Sequence, residues 1–434
     1  MSTHIAIVGN GVAGITAARF LRKASSDVRL TVISAETEHF YSRTALMYIY
    51  MGHMTYDDTK PYEDWFWEKN RIALVHDYVE TVDVEEKTLQ LRAGAPIAYD
   101  ILILATGSQP RAIGIDGEEL EGVQGLYGVP DLETMEASTD GIARAVVAGG
   151  GLIGVEMAEM LHTRHLPVTF LVRESNYYRN VLPPEEATLV TEAIRGHGID
   201  LRLSTELDAI HSNGEGRVAG ITTKAGERID CQFLGITIGV TPNLAVTEHT
   251  PIETNRGILV DEQFRTNVPN IYAVGDCTEF VREGIGYRTI DQLWYTGRKE
   301  GQAVARIIAG DTRGYAPGPF FNSAKFFNVE YQTYGTIAPD LPEDQETLCW
   351  QHPTKPKLIR INYERESERV VGFNLMGIRY RQDVCHRWLT EERTIREILP
   401  KLEEANFDRE FDERYEPALR AQYRERFPDV VLQA

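Results

Sequence analysis

Hydrophobic and polar positions along the chain alternate between a helical and a strand rhythm, and the opening shows both. In HIAIV the residues after His4 are a short unbroken apolar run, which predicts a buried strand over 5–8. Gly9, Gly11 and Gly14 follow, apolar Ile15, Ala18 and Leu21 then recur at helical spacing, and a second apolar run predicts a strand over 30–33. From 72 to 104 the period shortens to two, in VHDYVETVDV, KTLQLRAG and AYDILILATG, which predicts an antiparallel meander returning to the buried sheet. The opening pattern then recurs. ARAVVAGGGLIGVEMAEML places Gly149, Gly151 and Gly154 each 140 residues after its counterpart, and a second meander spans 200–238. Another buried strand, over 271–274, ends in Gly275-Asp276. Beyond 320, KFFNVEYQTYG, KLIRINYE and RVVGFNLMG predict strands of a separate antiparallel sheet, with helices near 383–389 and 394–403. In the last segment Phe411, Tyr415, Leu419 and Tyr423 line one helical face. Its opposite face is mixed in charge, so the stripe suits core or subunit packing rather than a membrane surface.

Strand, GxGxxG, helix, strand and acid in that order form a dinucleotide-binding arrangement with a job for each part. Gly9 permits the tight turn, Gly11 lets backbone N–H groups approach a pyrophosphate, and Gly14 lets helix pack on strand. The helix N-terminus adds partial positive charge. Glu36, 22 residues after Gly14, is placed to accept hydrogen bonds from ribose hydroxyls. A duplicated fold of this kind implies two dinucleotides. Asp276, at the carboxyl end of a parallel strand, is either a ligand-binding group or the cap of the next helix. The aromatic stretch HFYSRTALMYIYMGHMTYDDTKPYEDWFWEKN also has two readings. It is a helical segment burying Leu46, Tyr50 and Trp65, or a loop and helix beside a flat cofactor with Arg43 near its phosphates.

Composition narrows the partners. The 434 residues carry a formal net charge of −20, which argues against nucleic acid or an anionic membrane as partner. An acidic electron carrier would need a local basic patch, such as the surface around Arg379, Arg381 and Arg387. No apolar run of about 18 residues occurs, which predicts no spanning helix, and the start of the chain predicts no signal peptide. Cys231, Cys277, Cys349 and Cys385 show no close spacing, so neither a disulfide framework nor a metal site is expected, and a cytoplasmic location fits.

VGNGVAG, the ATG at 105–107, GGGLIGVE and TNVPNIYAVGD, in this order, resemble the pyridine nucleotide–disulfide oxidoreductase superfamily of two-dinucleotide flavoproteins. The resemblance implies an α/β fold of two tandem Rossmann-like domains, the second inserted in the first, plus a C-terminal α+β domain. The expected boundaries are 1–111 with 243–319 for FAD, 112–242 for NAD(P)H, and 320–434 for an interface domain that suggests a homodimer. It implies FAD on Gly9, Gly11, Ala13, Gly14, Glu36, Arg43, Ala105, Thr106, Gly107, Gly275 and Asp276, and the nicotinamide nucleotide on Gly149, Gly151 and Gly154. Glu156 is expected near nicotinamide and flavin, and Trp294 beside the flavin. Tyr48 takes the place of a lysine that many members carry at the flavin edge. Where single-cysteine members have their working thiol, this chain has Thr44, so dithiol chemistry through that position is out. The branch it resembles is that of ferredoxin and rubredoxin reductases, which pass electrons to an external acceptor: a small iron–sulfur protein, a quinone-like molecule or oxygen. The alternatives are a redox-responsive flavoprotein of apoptosis-inducing-factor type, and a thiol or persulfide reductase using Cys385 or Cys349. Arg173 and Arg179 are spaced like a pair that clamps the 2′-phosphate of NADPH. Glu174 and Gly154 count toward NADH, and the balance of the sequence favours NADPH. Hydride transfer itself demands no acid–base residue.

Overall fold

The computed structural model describes residues 2–281, 289–408, 410 and 413–428. It divides into two compact units: Met1–Ala112 with Gly125–Ala137 and Gly239–Pro317, and Ile113–Gln124 with Ser138–Ile238 and Gly318–Ala434.

The first unit is built on five parallel strands in the order Ile271–Ala273, Ile101–Leu104, His4–Val8, Arg29–Ser34, Ile72–His76. His4–Val8 is buried along its whole length, as the apolar run over 5–8 requires, and the His4 ring shares a 2.9 Å hydrogen bond with the Thr31 hydroxyl. Ile72–His76 is the outer strand of this sheet, paired in parallel with Arg29–Ser34, and not the first strand of the meander. The meander is Val79–Asp83, Thr88–Leu91 and Ile97–Ala98. Ser108–Pro110 and Val240–Pro242, the two segments where the chain leaves and rejoins this unit, pair antiparallel with each other. Helices Val12–Ala24 and Trp294–Ile308 lie against one another, and Gly301 explains how closely. A Cβ there would stand 2.3 Å from the Ala13 carbonyl oxygen.

In the second unit the strand order is Asp200–Arg202, Val168–Leu171, Ala145–Ala148, Phe233–Ile236, Val123–Gln124, again all parallel. The duplication therefore extends to topology. The outer strand beside the return strand comes from downstream in the first sheet (271–273) and from upstream in the second (123–124). A five-stranded antiparallel sheet completes this unit: Phe321–Phe326, Val329–Gly335, Val370–Met376, Leu358–Glu364, Gln345–Gln351. KFFNVEYQTYG is thus not one strand. Phe326 pairs with Val329 across a two-residue turn in which Phe327 has φ 54°. Helix Gln382–Thr390 follows, and Thr394 opens Ile395–Ile398 with a capping box to Glu397. Of the expected aromatic stripe, Tyr415, Leu419 and Tyr423 are buried in the core of this sheet, and Phe411 lies outside the described residues. Among the described residues no helix is long and apolar enough to cross a membrane.

Candidate dinucleotide-binding sites

The first glycine turn fits its assigned parts one by one. Gly9 has φ +109°, and a Cβ on it would meet the Ala105 carbonyl oxygen at 2.1 Å. A Cβ on Gly14 would lie 2.1 Å from the Gly9 oxygen, so close packing of turn and helix excludes a side chain at either position. Gly11 differs: nothing lies within 4 Å of its added Cβ. It is the extended N-cap of Val12–Ala24 and no side chain caps that helix. Open space over uncapped N–H groups is what a pyrophosphate requires.

Glu36 follows the second strand, and protein groups already hold its carboxylate. Arg43 pairs with it at 2.6 Å, the Tyr41 hydroxyl donates to it, and the Val129 N–H donates at 3.0 Å. Burial alone would raise its pKa, but the charge and hydrogen bonds of Arg43, with Tyr41, hold it below the usual carboxylate value. Arg43 was expected at the phosphates. Here its guanidinium lies 4.3 Å from the Tyr127 ring centre and 5.4 Å from that of Tyr41, donating to the Tyr127 carbonyl as well as to Glu36. Tyr127 was not anticipated. Its hydroxyl accepts from the Ser108 N–H at 2.8 Å. It belongs to Gly125–Ala137, inside the expected middle domain, which packs with the first unit because Tyr127 and Val129 bond to Arg43 and Glu36. No local pattern marks it in a stretch that reads as a glycine-rich linker.

Asp276 is half-buried beyond the strand Ile271–Ala273. Ser108 Oγ donates to it at 3.1 Å and is itself held by Gln292 at 2.7 Å. Burial pushes its pKa up to about 6, with the Ser108 bond opposing. The neighbouring Gly275 N–H donates at 2.6 Å to Glu300, a buried carboxyl that sequence reasoning also missed. Burial raises the Glu300 pKa well above the ordinary value, the Gly275 bond notwithstanding. Its position in DQLWYTGRKEGQAVA, one residue before Gly301, was the available signal. The Thr106 hydroxyl donates to the Asn243 carbonyl at 2.7 Å, and Gly107, at φ +70°, accepts from the Asn243 N–H. Trp294 Nε1 is buried and has no hydrogen-bond partner among the described residues. An open glycine, an uncapped helix, two carboxylates and an orphaned indole N–H suit FAD, whose phosphates, hydroxyls and ring would complete them.

The aromatic stretch serves in part as core. Leu46 and Tyr50 are buried, but Trp65 is 58% exposed and it is Trp67 that fills the interior. Trp67 packs edge-on to Tyr62 and Phe66, leaving Trp65 on the outer face of the same short helix Trp65–Lys69. Tyr48, on Leu46–Tyr50, is half-buried with its ring 6.4 Å from that of His53, and Thr44 is exposed.

The second turn repeats the construction. Gly149 has φ +126° with the Thr237 oxygen 2.4 Å from an added Cβ, Gly154 is closed by the Gly149 oxygen at 2.2 Å, and Gly151 has its nearest atom at 3.9 Å. Thr237 bonds the Ala148 and Gly149 carbonyls, and Tyr177, fully buried, donates to the Gly151 carbonyl at 2.6 Å. Glu156 lies on the helix Leu152–Thr163, its pKa raised to about 7 by burial and by the neighbouring Glu159. Glu159 is bound by Lys325 at 2.7 Å. The two arginines of the expected clamp each have a carboxylate partner of their own. Arg179 pairs with Asp340 and donates to the Pro339 carbonyl at 3.2 Å, while Arg173 is 71% exposed and pairs with Glu174 at 3.0 Å. Cys231, Cys277 and Cys385 are fully buried, and burial raises the pKa of all four thiols. That is the condition of inert thiols, not of attacking ones. The basic patch is also cancelled: Arg379 pairs with Glu330, Arg381 with Asp383 at 2.9 Å and Arg387 with Glu404 at 3.4 Å.

Comparison with known proteins adds to this geometry. The family model described as pyridine nucleotide-disulphide oxidoreductase matches residues 3–301. The rubredoxin-NAD(+) reductase of Pseudomonas putida is 30% identical over 75% of this chain and 85% of its own. The nitrite reductase [NAD(P)H] of Bacillus subtilis (strain 168) is 30% identical over 79% of this chain, but the match spans only 42% of that longer protein. A ferredoxin reductase from Rhodopseudomonas palustris superposes with a TM-score of 0.78, covering 87% of this chain and 91% of that one. At 24% identity this likeness establishes the fold alone.

Proposed function

The chain belongs to the pyridine nucleotide-disulphide oxidoreductase family, and on that premise we propose that it carries electrons from NAD(P)H through FAD to an external carrier of rubredoxin or ferredoxin kind. It is an oxidoreductase that uses FAD and NAD(P)H. Bound FAD would supply the hydride-accepting and electron-relaying chemistry between the nicotinamide and the acceptor. The chain's part is binding and orientation. In the first unit the open N-terminus at Gly11 would hold the pyrophosphate, Glu36 with Arg43 and Tyr127 the adenosine end, and Asp276 the ribityl side. In the second, Gly151 receives the nicotinamide nucleotide and Glu156 aligns its reactive ring. The observation that carries this reading is the duplicate turn, in which two glycines are sterically closed and the middle one is open in both copies. Exposed Thr44 and the buried thiols favour an acceptor outside the chain. The relative's name, rubredoxin-NAD(+) reductase, favours a small iron–sulfur or iron protein.

The test is anaerobic mixing of FAD-loaded protein with each nucleotide, followed by a rubredoxin, a [2Fe–2S] ferredoxin, a quinone and oxygen as acceptors. Fast flavin bleaching, with reduction of an iron protein faster than of quinone or oxygen, is the expected result. Slow bleaching with a lasting nucleotide complex and no turnover would replace the reductase with a redox-responsive binding protein. A homodimer through the C-terminal sheet belongs to the same reading and is measured by light scattering.

A further inference from the structure

We propose that Glu300 is a positioning residue for the flavin: as an uncharged acid it fixes the turn that presents Asp276, and leaves Asp276 to carry the negative charge there. This rests on the reading of Asp276 as a group that bonds FAD. The turn is pinned on both sides of the Gly275–Asp276 peptide. The Gly275 N–H donates to Glu300 Oε2 at 2.6 Å. The Gly275 carbonyl accepts from the Thr278 N–H at 3.0 Å and from the Thr278 hydroxyl at 2.7 Å. Gly275 itself stands at φ +82°, and a Cβ on it would lie 2.9 Å from that of Ala13, so the turn is pressed against the helix Val12–Ala24. Without Glu300 a buried backbone donor at this turn loses its acceptor.

Surroundings decide which acid keeps a proton. Glu300 is 2% exposed, and among the described residues no lysine or arginine pairs with it. Lys299, next to it in the helix, sends its Nζ to the Pro317 carbonyl at 2.8 Å. The ionisable groups that act on Glu300 are Asp291 and Asp276, both acids, so its carboxylate form would be a buried charge beside like charges. Asp276 is placed differently. It is half-buried, Ser108 Oγ donates to it at 3.1 Å, and the positive charge of Arg43 favours its ionised form. The pair therefore divides the roles, with the proton on Glu300 and the carboxylate on Asp276. A carboxylate at Asp276 accepts from hydroxyls such as those of a ribityl chain, and a neutral Glu300 adds no second negative charge near a pyrophosphate.

The experiment titrates FAD into flavin-free wild type, Glu300→Gln and Glu300→Ala at about pH 8, where Asp276 is ionised, and records infrared spectra of the same proteins. Glutamine offers the Gly275 N–H a like-placed oxygen and stands in for the neutral acid, not for the carboxylate. Glu300→Gln should therefore bind FAD within about three-fold of wild type, and Glu300→Ala at least about ten-fold more weakly. Wild type should show a carboxylic acid C=O band, with and without flavin, that Glu300→Gln lacks. Should Glu300→Ala not fold, Glu300→Gln and the band decide by themselves. A ten-fold loss of FAD affinity in Glu300→Gln, or identical infrared spectra in the acid region, overturns the neutral acid. Unchanged affinity in Glu300→Ala overturns the positioning role. If FAD binds by the expected pattern but neither NADH nor NADPH reduces it, the assignment of Glu300 stands and the reductase reading falls.

Discussion

Gly11 and Gly14 sit three residues apart and ask different things of the chain, which makes them separable by the same substitution. Gly11→Ala meets no atom of the protein and keeps an ordinary extended conformation. Flavin-free protein should therefore lose about 1 kcal/mol or less, while FAD affinity drops because the methyl group occupies the pyrophosphate's approach. Gly14→Ala forces a Cβ to within 2.1 Å of the Gly9 oxygen. It should cost about 2–4 kcal/mol even without FAD. Denaturant unfolding of the flavin-free proteins and flavin titration separate the two; equal destabilisation would show that Gly11 is a packing glycine. Asp276 gives a test in pH. Its folded pKa of about 6 lies above the ordinary 3.8, so the folded protein keeps a proton that the unfolded chain releases between these values. Stability of the flavin-free protein then falls as pH rises through that window, and the cost is complete above it. Asp276→Asn should be more stable than wild type at pH 8, by about 1–3 kcal/mol, with the difference closing below pH 4 and FAD binding weakened throughout. Urea unfolding at the two pH values checks the sign.

Two elements bring these residues to one place, and their fit is set by glycines on the second. On Trp294–Ile308, a Cβ at Gly301 would strike the Ala13 carbonyl oxygen at 2.3 Å, whereas one at Gly297 would find the Val12 side chain at 3.3 Å. Gly301→Ala should separate this helix from Val12–Ala24, costing about 2–4 kcal/mol and loosening both the Gly9 turn and the Glu300 bond to Gly275. Gly297→Ala should change stability by about 1 kcal/mol at most, in either direction, since helix propensity gains what a slight crowding takes. Thermal unfolding and retained flavin measure both, and equal effects would discard the account. At this scale the sequence was legible where a segment's own pattern decides its structure: apolar runs made buried strands, and the glycine spacing marked both turns. It was illegible where pairing partners are distant. Ile72–His76 carries strand composition, but nothing local says that it joins Arg29–Ser34 in parallel. Val123–Gln124 is too short to register as a strand until Leu234 pairs with it. Tyr127 acts through Arg43, far along the chain, and a one-dimensional pattern holds no trace of that contact, whereas Glu300, bonded to Gly275, is marked only by its place beside Gly301.

For the whole molecule the sum of charges matters more than any one of them. Formal net charge is −20, and the arginines that seemed able to make a basic landing site are each matched by a carboxylate. Paired arginines at an exposed surface have little field left to steer a partner. An acidic iron–sulfur carrier would then approach against the average potential, and docking would depend on short-range contacts rather than attraction at a distance. Salt reverses its usual role in this case. Screening over about 10 Å at 0.1 M ionic strength weakens repulsion, so kcat/KM for an acidic carrier should rise between low salt and 0.3 M, by roughly two-fold or more. Reduction of a neutral quinone by the same protein should stay flat. Arg379→Glu, which removes one half of a neutral pair, should alter carrier reduction far less than the salt change does. Initial rates across a salt series, with carrier and quinone side by side, decide the matter. A rate that falls with salt for the carrier alone would mean that the acceptor binds an attractive surface elsewhere on the chain, and the net charge would no longer describe what the partner meets.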